Sequence, residues 1–362
     1  TELSREVIKD AMDIHGGKGV ILGPRNYLGR GWQGSPIWIT VEGANILTRS
    51  LMIFGQGAIR CHPFVLKEME AMQLEDETER LVQFDKLLFK HIGHSISCAS
   101  RSLVLGLSFA KFAVVPGDRQ TRKYYRKLSR YTAAFSLMAD IALVTYGGKL
   151  KMKEKISGRL GDALSWLYIS SAMLRRYEYE GRPAADQPIL AWAFHDAIYR
   201  IQEALKGVID NYPFAFARPI LRRVVFPLGA NERRPNDRLG HKVAALMLSP
   251  SDTRDRLTRG CYKTDRPGHV PGNMESLLPD VIAAEPVERK LVKAVRSGKA
   301  GGLTYREQVD SAHEAGVLTD KEANMLLSVR ERVMEIVAVD DFEIEELQAG
   351  LTEKGETIRD AA

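Results

Sequence analysis

The apolar residues of this chain recur every three or four positions over most of its length. Such a spacing places them on one face of a helix, and it therefore predicts α-helices rather than strands. Thr319 and Glu322 also have the spacing of a capping box, which marks a helix start. Helical patterns cover residues 1–15, 45–60, 62–72, 76–110, 118–147, 150–179, 185–210, 214–226, 237–258, 276–296, 303–315 and 319–338. The sequence thus predicts an all-α protein built from helical bundles.

Two stretches interrupt the helical pattern. Residues 16–41 hold seven glycines and two prolines, and residues 260–275 are also rich in glycine and proline. An irregular stretch as long as the first, inside a helical chain, usually has a functional role. We therefore expect 16–41 to be a loop that carries a site, and 260–275 to mark a domain boundary.

Two apolar runs, Leu103–Val115 and Thr132–Tyr146, raise the question of membrane insertion. Both are shorter than the roughly 20 residues that span a bilayer, so we expect both to be buried core helices. The chain begins with Thr1 inside a helical pattern, without the charged and apolar regions of a signal peptide. We therefore expect it to be part of a longer protein.

Composition narrows the class of protein further. Hydrophobic residues make up 44% and charged residues 27% of the 362 positions, which excludes a disordered chain. Cys61, Cys98 and Cys261 are too few and too far apart for a disulfide framework or a zinc cluster. The net charge of +6 is the remainder of a basic segment, 118–160, and an acidic tail beyond residue 340. A charge this modest does not predict a nucleic-acid partner.

The GGKG sequence at 16–19 could meet a cofactor. A dinucleotide-binding fingerprint needs a strand before its glycines, whereas these follow a predicted helix, so a Rossmann site is excluded. The glycine N–H groups could still face a ligand phosphate.

His91, His94 and Cys98 share one face of a predicted helix. The spacing fits either a metal site or a packed polar face. No further ligand joins them in the local sequence, so we favour the polar face and predict no metal.

Glu42 lies between the apolar run 37–41 and Gly43, just before the helix predicted from Asn45. Apolar surroundings raise the pKa of a carboxyl group towards the range of a general base, and the glycine lets a ligand come close to the backbone. Alternatively, the carboxylate only caps the helix N-terminus, where negative charge is favourable. Spacing alone favours the capping role.

The sequence DIHGGKGV at 13–20, followed by TVEGANILTR at 40–49, resembles the end of the catalytic domain of acyl-CoA dehydrogenases. The resemblance is strongest to the large bacterial fatty acyl-CoA dehydrogenases of the FadE type. It continues through YYRKLSRYTAAFSLMADIAL, RLGDALSWLYISSAMLRRYE, EGRPAADQPIL and VFPLG. It implies the end of the catalytic helical domain over 1–74, a helical extension over 75–262, and a C-terminal helical subdomain with an acidic tail over 263–362.

The resemblance also implies roles for single residues. Glu42 corresponds to the catalytic base and, with Gly43, would contact the substrate. Gly16-Gly17 would lie beside the adenine-nucleotide end of FAD. Asp13 stands where many relatives have Gln, and Ala44 where many have Thr, so both cofactor-binding positions lack the usual side chain.

The implied activity is FAD-dependent oxidation of medium- or long-chain acyl-CoA to trans-2-enoyl-CoA in fatty acid β-oxidation. The implied partners are the fatty acyl-CoA, electron-transfer flavoprotein as electron acceptor, and further copies of the chain. In relatives most of the flavin site comes from an N-terminal helical domain and a β domain, so this chain would be the C-terminal part of such an enzyme. We expect a cytoplasmic protein.

The basic helical region around Arg119–Arg130 leaves alternatives open. It could be a structural extension that shapes a long-chain pocket. It could instead be a membrane-surface module at the inner face of the cell membrane, because basic residues alternate with tyrosines there. A non-catalytic helical interaction domain is the alternative to an enzyme. Nucleic acid is the weakest candidate partner.

Overall fold

The computed structural model describes residues 1–41, 45–264, 266 and 269–345, and these contain helices and no strand. A π-helix spans Thr48–Gln56, and 3₁₀ helices span Gly147–Met152 and Ala184–Asp186. The predicted all-α fold is confirmed. The α-helices are α1 (Glu2–His15), α2 (Gly17–Val20), α3 (Gly29–Gly34), α4 (Ile37–Thr40), α5 (Asn45–Leu47), α6 (Gly57–Cys61), α7 (Val65–Ala71), α8 (Glu77–Leu107), α9 (Arg122–Tyr146), α10 (Glu154–Tyr179), α11 (Gln187–Asp210), α12 (Ala217–Val225), α13 (Asp237–Met247), α14 (Asp252–Thr258), α15 (Val270–Arg296), α16 (Tyr305–Glu314) and α17 (Asp320–Val337).

The chain divides into two compact units. The middle unit is Glu42–Leu246, and the terminal unit combines Thr1–Val41 with the described residues from Met247 onward. The domain limits implied by the family resemblance, at residues 74 and 262, do not coincide with these units and remain a prediction.

The middle unit is a bundle of the long helices α8, α9, α10 and α11, with α12 against α8. Each of the bundle helices has an apolar face, and the faces meet in one core that buries Met138, Leu160, Leu174, Phe194 and Leu205 completely. Burial of each such large apolar side chain contributes about 1.5–3 kcal/mol, so this shared core is what holds the bundle together.

Two glycines of α10 let the π-helix approach closely. A methyl group added at Gly161 would lie 2.6 Å from the backbone oxygen of Arg49, and one at Gly158 would lie 3.2 Å from the Arg49 guanidinium. That guanidinium also donates two hydrogen bonds to the carboxylate of Asp162. The absence of side chains at Gly158 and Gly161 therefore allows the close backbone contact, and the hydrogen bonds between Arg49 and Asp162 stabilise it.

In the terminal unit, α15, α16 and α17 pack around a small core that includes Leu291, Val309 and Leu326. Helices α16 and α17 both begin with a capping box. The box predicted at Thr319 and Glu322 is confirmed, because the Thr319 hydroxyl accepts from the Glu322 N–H at 3.3 Å while the Glu322 carboxylate accepts from the Thr319 N–H at 3.0 Å.

The structure differs from the sequence prediction in several places, among them the predicted helix 237–258, which is two helices, α13 and α14. Residues 16–41 are not one loop, since the short helices α2, α3 and α4 lie within them, and α15 already begins at Val270. The run 132–146 is a core helix as predicted, but the run 103–115 is not. Its helix ends at Leu107, where Phe109 and Ala110 adopt positive φ angles of 50° and 60°. None of the described helices has the length and apolar character needed to cross a membrane.

Gly161→Ala tests the close approach of the π-helix to α10. We expect it to lower the free energy of unfolding by about 1–3 kcal/mol, because the new methyl group overlaps the Arg49 backbone oxygen. Gly93→Ala in α8 is the matched control, since no atom lies within 4 Å of its added methyl group. The control should gain up to about 1 kcal/mol from helix propensity. Equal effects of the two variants in urea denaturation would contradict the argument.

Candidate functional site

The predicted catalytic segment, Glu42 with Gly43 and Ala44, lies outside the described residues, so its roles stay predictions. The structure describes its flanks. Helix α4 ends at Thr40, and α5 begins at Asn45 and runs directly into the π-helix. π-helical turns occur frequently at functional sites, and this one begins within a few residues of Glu42.

The predicted flavin-binding glycines end α1. The Gly16 N–H donates to the backbone oxygen of Met12 at 3.1 Å, and Gly16 has a φ of +57°, which L side chains rarely adopt. Gly16 and Gly17 are exposed, and no atom lies within 4 Å of a methyl group placed on Gly16. A ligand could therefore approach this backbone closely, which fits the role that the resemblance implies. The Asp13 side chain is exposed and pairs with Lys9 at 3.4 Å.

Two residues that the sequence analysis did not identify fix this glycine element. The Lys18 side chain is buried and donates to the backbone oxygen of Ile336, at the end of α17. Burial lowers its pKa. The buried Asn26 amide donates to the backbone oxygens of Gly19 at 3.0 Å and Ile21 at 2.9 Å. Both contacts are tertiary or turn-specific, and so leave no periodic signal in the sequence.

A buried polar cluster lies in the middle unit, where α6, α8 and α9 meet. His62 Nδ1 accepts from the N–H groups of Phe64 and Val65, each at 3.2 Å, so its Nε2 carries the proton. That proton is donated to Asp140 Oδ1 at 2.7 Å, and the Ser95 hydroxyl donates to Asp140 Oδ2 at 2.6 Å. Both Asp140 oxygens are thus satisfied in a site where the residue is 3% exposed.

His91 and His94 complete the cluster. His91 Nδ1 lies 2.9 Å from Glu68 Oε1, and His94 Nε2 lies 3.5 Å from Cys98 Sγ. The polar face predicted for these α8 residues is present, together with partners from other elements. Burial raises the pKa of the Cys98 thiol, and the Asp140 charge adds to this, so the thiol is a poor nucleophile.

Asp140 remains a carboxylate despite its burial. Burial alone would raise its pKa, but the hydrogen bonds from His62 and Ser95 stabilise the charged form more, and its pKa lies below the ordinary value. The carboxylate therefore joins α9 to α6 and α8.

Ligand atoms of His62, His94 and Asp140 lie within 4.8 Å of one another, which is a spacing that a metal ion could use. This trio is not the one that the sequence suggested. In the described arrangement the two Asp140 oxygens accept hydrogen bonds from His62 and Ser95. Hydrogen bonding is therefore sufficient to explain why these polar residues lie together. The prediction of no metal stays a prediction.

An apolar cavity of about 230 Å³ lies beside the cluster, within the middle unit. The π-helix and α9 form its apolar walls, and the rings of His62 and His94 supply its polar edge. Apolar walls with a few polar groups are typical of small-molecule sites. The residues that line it are Ile53, Phe54, Gly57, Ala58, Cys61, His62, Pro63, His94, Phe135, Ser136, Ala139, Leu143 and Leu164.

Asp140→Ala tests the structural role of the cluster. It leaves the His62 N–H and the Ser95 hydroxyl buried without an acceptor, so we expect the free energy of unfolding to fall by about 3 kcal/mol. Asp85→Ala, at an exposed position of α8, is the control and should change it by less than about 0.5 kcal/mol. Chemical denaturation at neutral pH measures both.

The difference in stability between wild type and Asp140→Ala should depend on pH. Because the pKa of Asp140 is lower in the folded protein, its contribution is complete above the ordinary value of 3.8 and is lost as the pH falls through the folded value. The stability gap between wild type and Asp140→Ala should therefore narrow below about pH 4. A gap that stays constant to pH 2 would contradict the ionised Asp140.

Comparison with known families places most of the middle unit and much of the terminal unit in one family. The model of the bacterial-type C-terminal domain of acyl-CoA dehydrogenases matches residues 59–342, which is most of the chain. The match begins after Gly16, Gly17 and Glu42, so it supports the family independently of the residues that first suggested it. No solved structure matches the chain. The predicted family is confirmed, and the chain belongs to the acyl-CoA dehydrogenases, of which it contains the bacterial-type C-terminal domain.

Proposed function

We propose that this chain is the C-terminal part of an FAD-dependent acyl-CoA dehydrogenase of fatty acid β-oxidation, which converts medium- or long-chain acyl-CoA to trans-2-enoyl-CoA. The observation that carries this proposal is the family match over 59–342, directly preceded by the glycine element at 16–19 and by Glu42-Gly43. The apolar cavity beside His62 and His94 supports the substrate class, because hydrocarbon walls suit a fatty acyl chain.

Glu42 is the base of the proposed reaction. The α-proton of an acyl thioester is only weakly acidic, so its removal requires a positioned carboxylate and hydrogen bonds at the thioester oxygen. The backbone N–H of Glu42 would supply one such hydrogen bond, and Gly43 leaves space for the substrate beside it. The chemistry that takes up the β-hydrogen as hydride would be supplied by bound FAD.

The exposed backbone at Gly16-Gly17 supports an approach by FAD at its nucleotide end. The Asp13 and Ala44 positions would contribute backbone and shape rather than the amide and hydroxyl of relatives. Electron-transfer flavoprotein is the proposed electron acceptor, and a homo-oligomer is the proposed assembly. Both follow from family membership.

Glu42→Gln in the enzyme that contains this chain tests the proposal. The amide cannot accept the α-proton, so we expect kcat for acyl-CoA oxidation to fall by about 10²–10⁴-fold with unchanged flavin absorbance. Glu70→Gln, at an exposed position of α7, is the matched control and should retain full activity. Retained turnover in Glu42→Gln would show that another group is the base.

A peripheral membrane contact is a second candidate function, and the segment after α8 favours it. Phe112 is 75% exposed and Val114 fully exposed, and both line one shallow groove with Arg101. Lys111 is exposed between them and α8. Exposed apolar side chains next to basic ones favour insertion into the interface of an anionic bilayer.

Phe112→Ser combined with Val114→Ser tests the membrane contact. If both side chains enter the bilayer, flotation with vesicles of phosphatidylcholine and phosphatidylglycerol should fall by about tenfold or more. Leu303→Ser, which removes an apolar side chain that is 99% exposed elsewhere, is the control and should float like wild type. Unchanged flotation of the double variant would exclude this segment as the contact.

A further inference from the structure

A group of basic side chains in the middle unit lines a cavity of about 460 Å³. The cavity lies between α9, α11, the end of α8 and the loop at residues 231–232. No residue around it has a role in the proposed dehydrogenation. The residues that line it are Phe109, Ala110, Lys123, Tyr124, Arg126, Lys127, Arg130, Phe194, His195, Asn231 and Glu232.

The cavity is strongly positive. Positions 123, 126, 127 and 130 share one face of α9, and all four carry lysine or arginine. Glu232 is the only acid among the described residues that line the cavity, and it is already engaged by Lys127 at 2.8 Å and by the Tyr131 hydroxyl at 3.2 Å. Lys123, Arg126 and Arg130 therefore remain uncompensated.

Arg130 is the decisive residue. It is only 5% exposed, and it forms no hydrogen bond or ion pair with any described residue. The Nε atoms of Arg130 and Arg126 are both buried without a partner. The Arg130 guanidinium lies over the Tyr131 ring, 5.0 Å from Cζ to centroid. A guanidinium cannot lose its proton, and Glu232 is already engaged by Lys127 and Tyr131, so the burial of Arg130 leaves a charge for an anion to satisfy.

The surrounding structure fixes this geometry. A methyl group on Gly106 would lie 2.6 Å from Pro227 Cγ, so the small residue makes room for the ring of Pro227 beside Arg130. The Gln202 amide donates to the backbone oxygen of Glu232 at 3.3 Å and accepts from the backbone N–H of Glu232 at 2.8 Å. These two hydrogen bonds hold the loop at residues 231–232 beside the cavity. The loop that carries Glu232 is thus held in place without a ligand.

We propose that this cavity binds the phosphate group of an organic phosphate. Two guanidinium groups and an ammonium group match the charge of a phosphate dianion and its several acceptor oxygens. The cavity is larger than one phosphate, and the rings of Phe109, Tyr124 and Phe194 provide apolar surface for the remainder of the ligand. Partial burial of the ring, followed by the charges of Lys127 and Lys123, lowers the pKa of His195, which agrees with a positive field in the cavity.

Thermal unfolding and isothermal titration calorimetry of the full chain test this proposal, with pyrophosphate and adenosine monophosphate as probes. We expect both probes to raise Tm of the wild type, because a ligand of the folded state stabilises it by mass action. Arg130→Gln should abolish the rise while leaving Tm without probe equal or higher, since it removes an unpaired buried charge. A merely structural arginine would instead give a lower Tm.

Two further variants keep the test independent of Arg130. Arg126→Gln should weaken binding by about tenfold or more, since hydrogen bonds to charged groups contribute that much. Arg122→Gln has the same charge change at an exposed position of α9 that does not line the cavity, and it should bind like wild type. An equal Tm rise in Arg130→Gln and wild type would overturn the proposal, and so would the absence of any response to the soluble probes together with vesicle binding that does not depend on Arg130.

A vesicle experiment identifies the source of the phosphate. Vesicles of phosphatidylcholine with phosphatidic acid present the group on a lipid. Vesicle binding that Arg130→Gln removes, with little response to the soluble probes, assigns the cavity to a lipid headgroup. A response to the soluble probes, with vesicle binding unchanged in Arg130→Gln, assigns it to a free organic phosphate. Because dehydrogenation depends on Glu42, failure here leaves the proposed enzyme function unaffected, and the reverse also holds.

Discussion

Helix α9 places its side chains in three different environments: the apolar core, a buried polar cluster and a basic cavity. The packing of the middle unit depends on all three. Met138 and its apolar neighbours fill the core of the bundle. Asp140, on the same part of the helix, brings a charge inside, and the hydrogen bonds from His62 and Ser95 offset its burial. The first turns direct Arg126 and Arg130 towards the basic cavity. All these groups project from one helix, so a shift of the helix would move all of them together.

The sequence predicted the helices because the apolar period is a local property. The sequence prediction is wrong where the local pattern of apolar residues does not determine the backbone conformation. The run 103–115 is apolar enough for a core helix, yet Phe109 and Ala110 leave the helical conformation and Phe112 points to solvent. The π-helix packs closely on α10 at Gly161 and Arg49, a contact between residues distant in sequence, which no periodicity reveals.

The candidate sites show the same division. His91 and His94 have the spacing of a polar face, but His62 and Asp140 reach them from other elements, so the cluster could not be assembled from the sequence. The basic residues of α9 look like one solvated stripe in the sequence. In the structure the stripe is not uniform, since Arg122 is exposed and Arg130 is buried. Charge pattern alone does not distinguish the two positions.

Lys18 donates to the backbone oxygen of Ile336, and the Arg25 N–H donates to Asp340 at 2.8 Å. These two contacts affect the order in which parts of the chain fold. Lys18 and Arg25 complete their packing only with residues made more than 300 positions later. Such a pairing has a high contact order and forms slowly. During translation the core of the middle unit, which lies within residues 54–226, can form before residues 336 and 340 have left the ribosome.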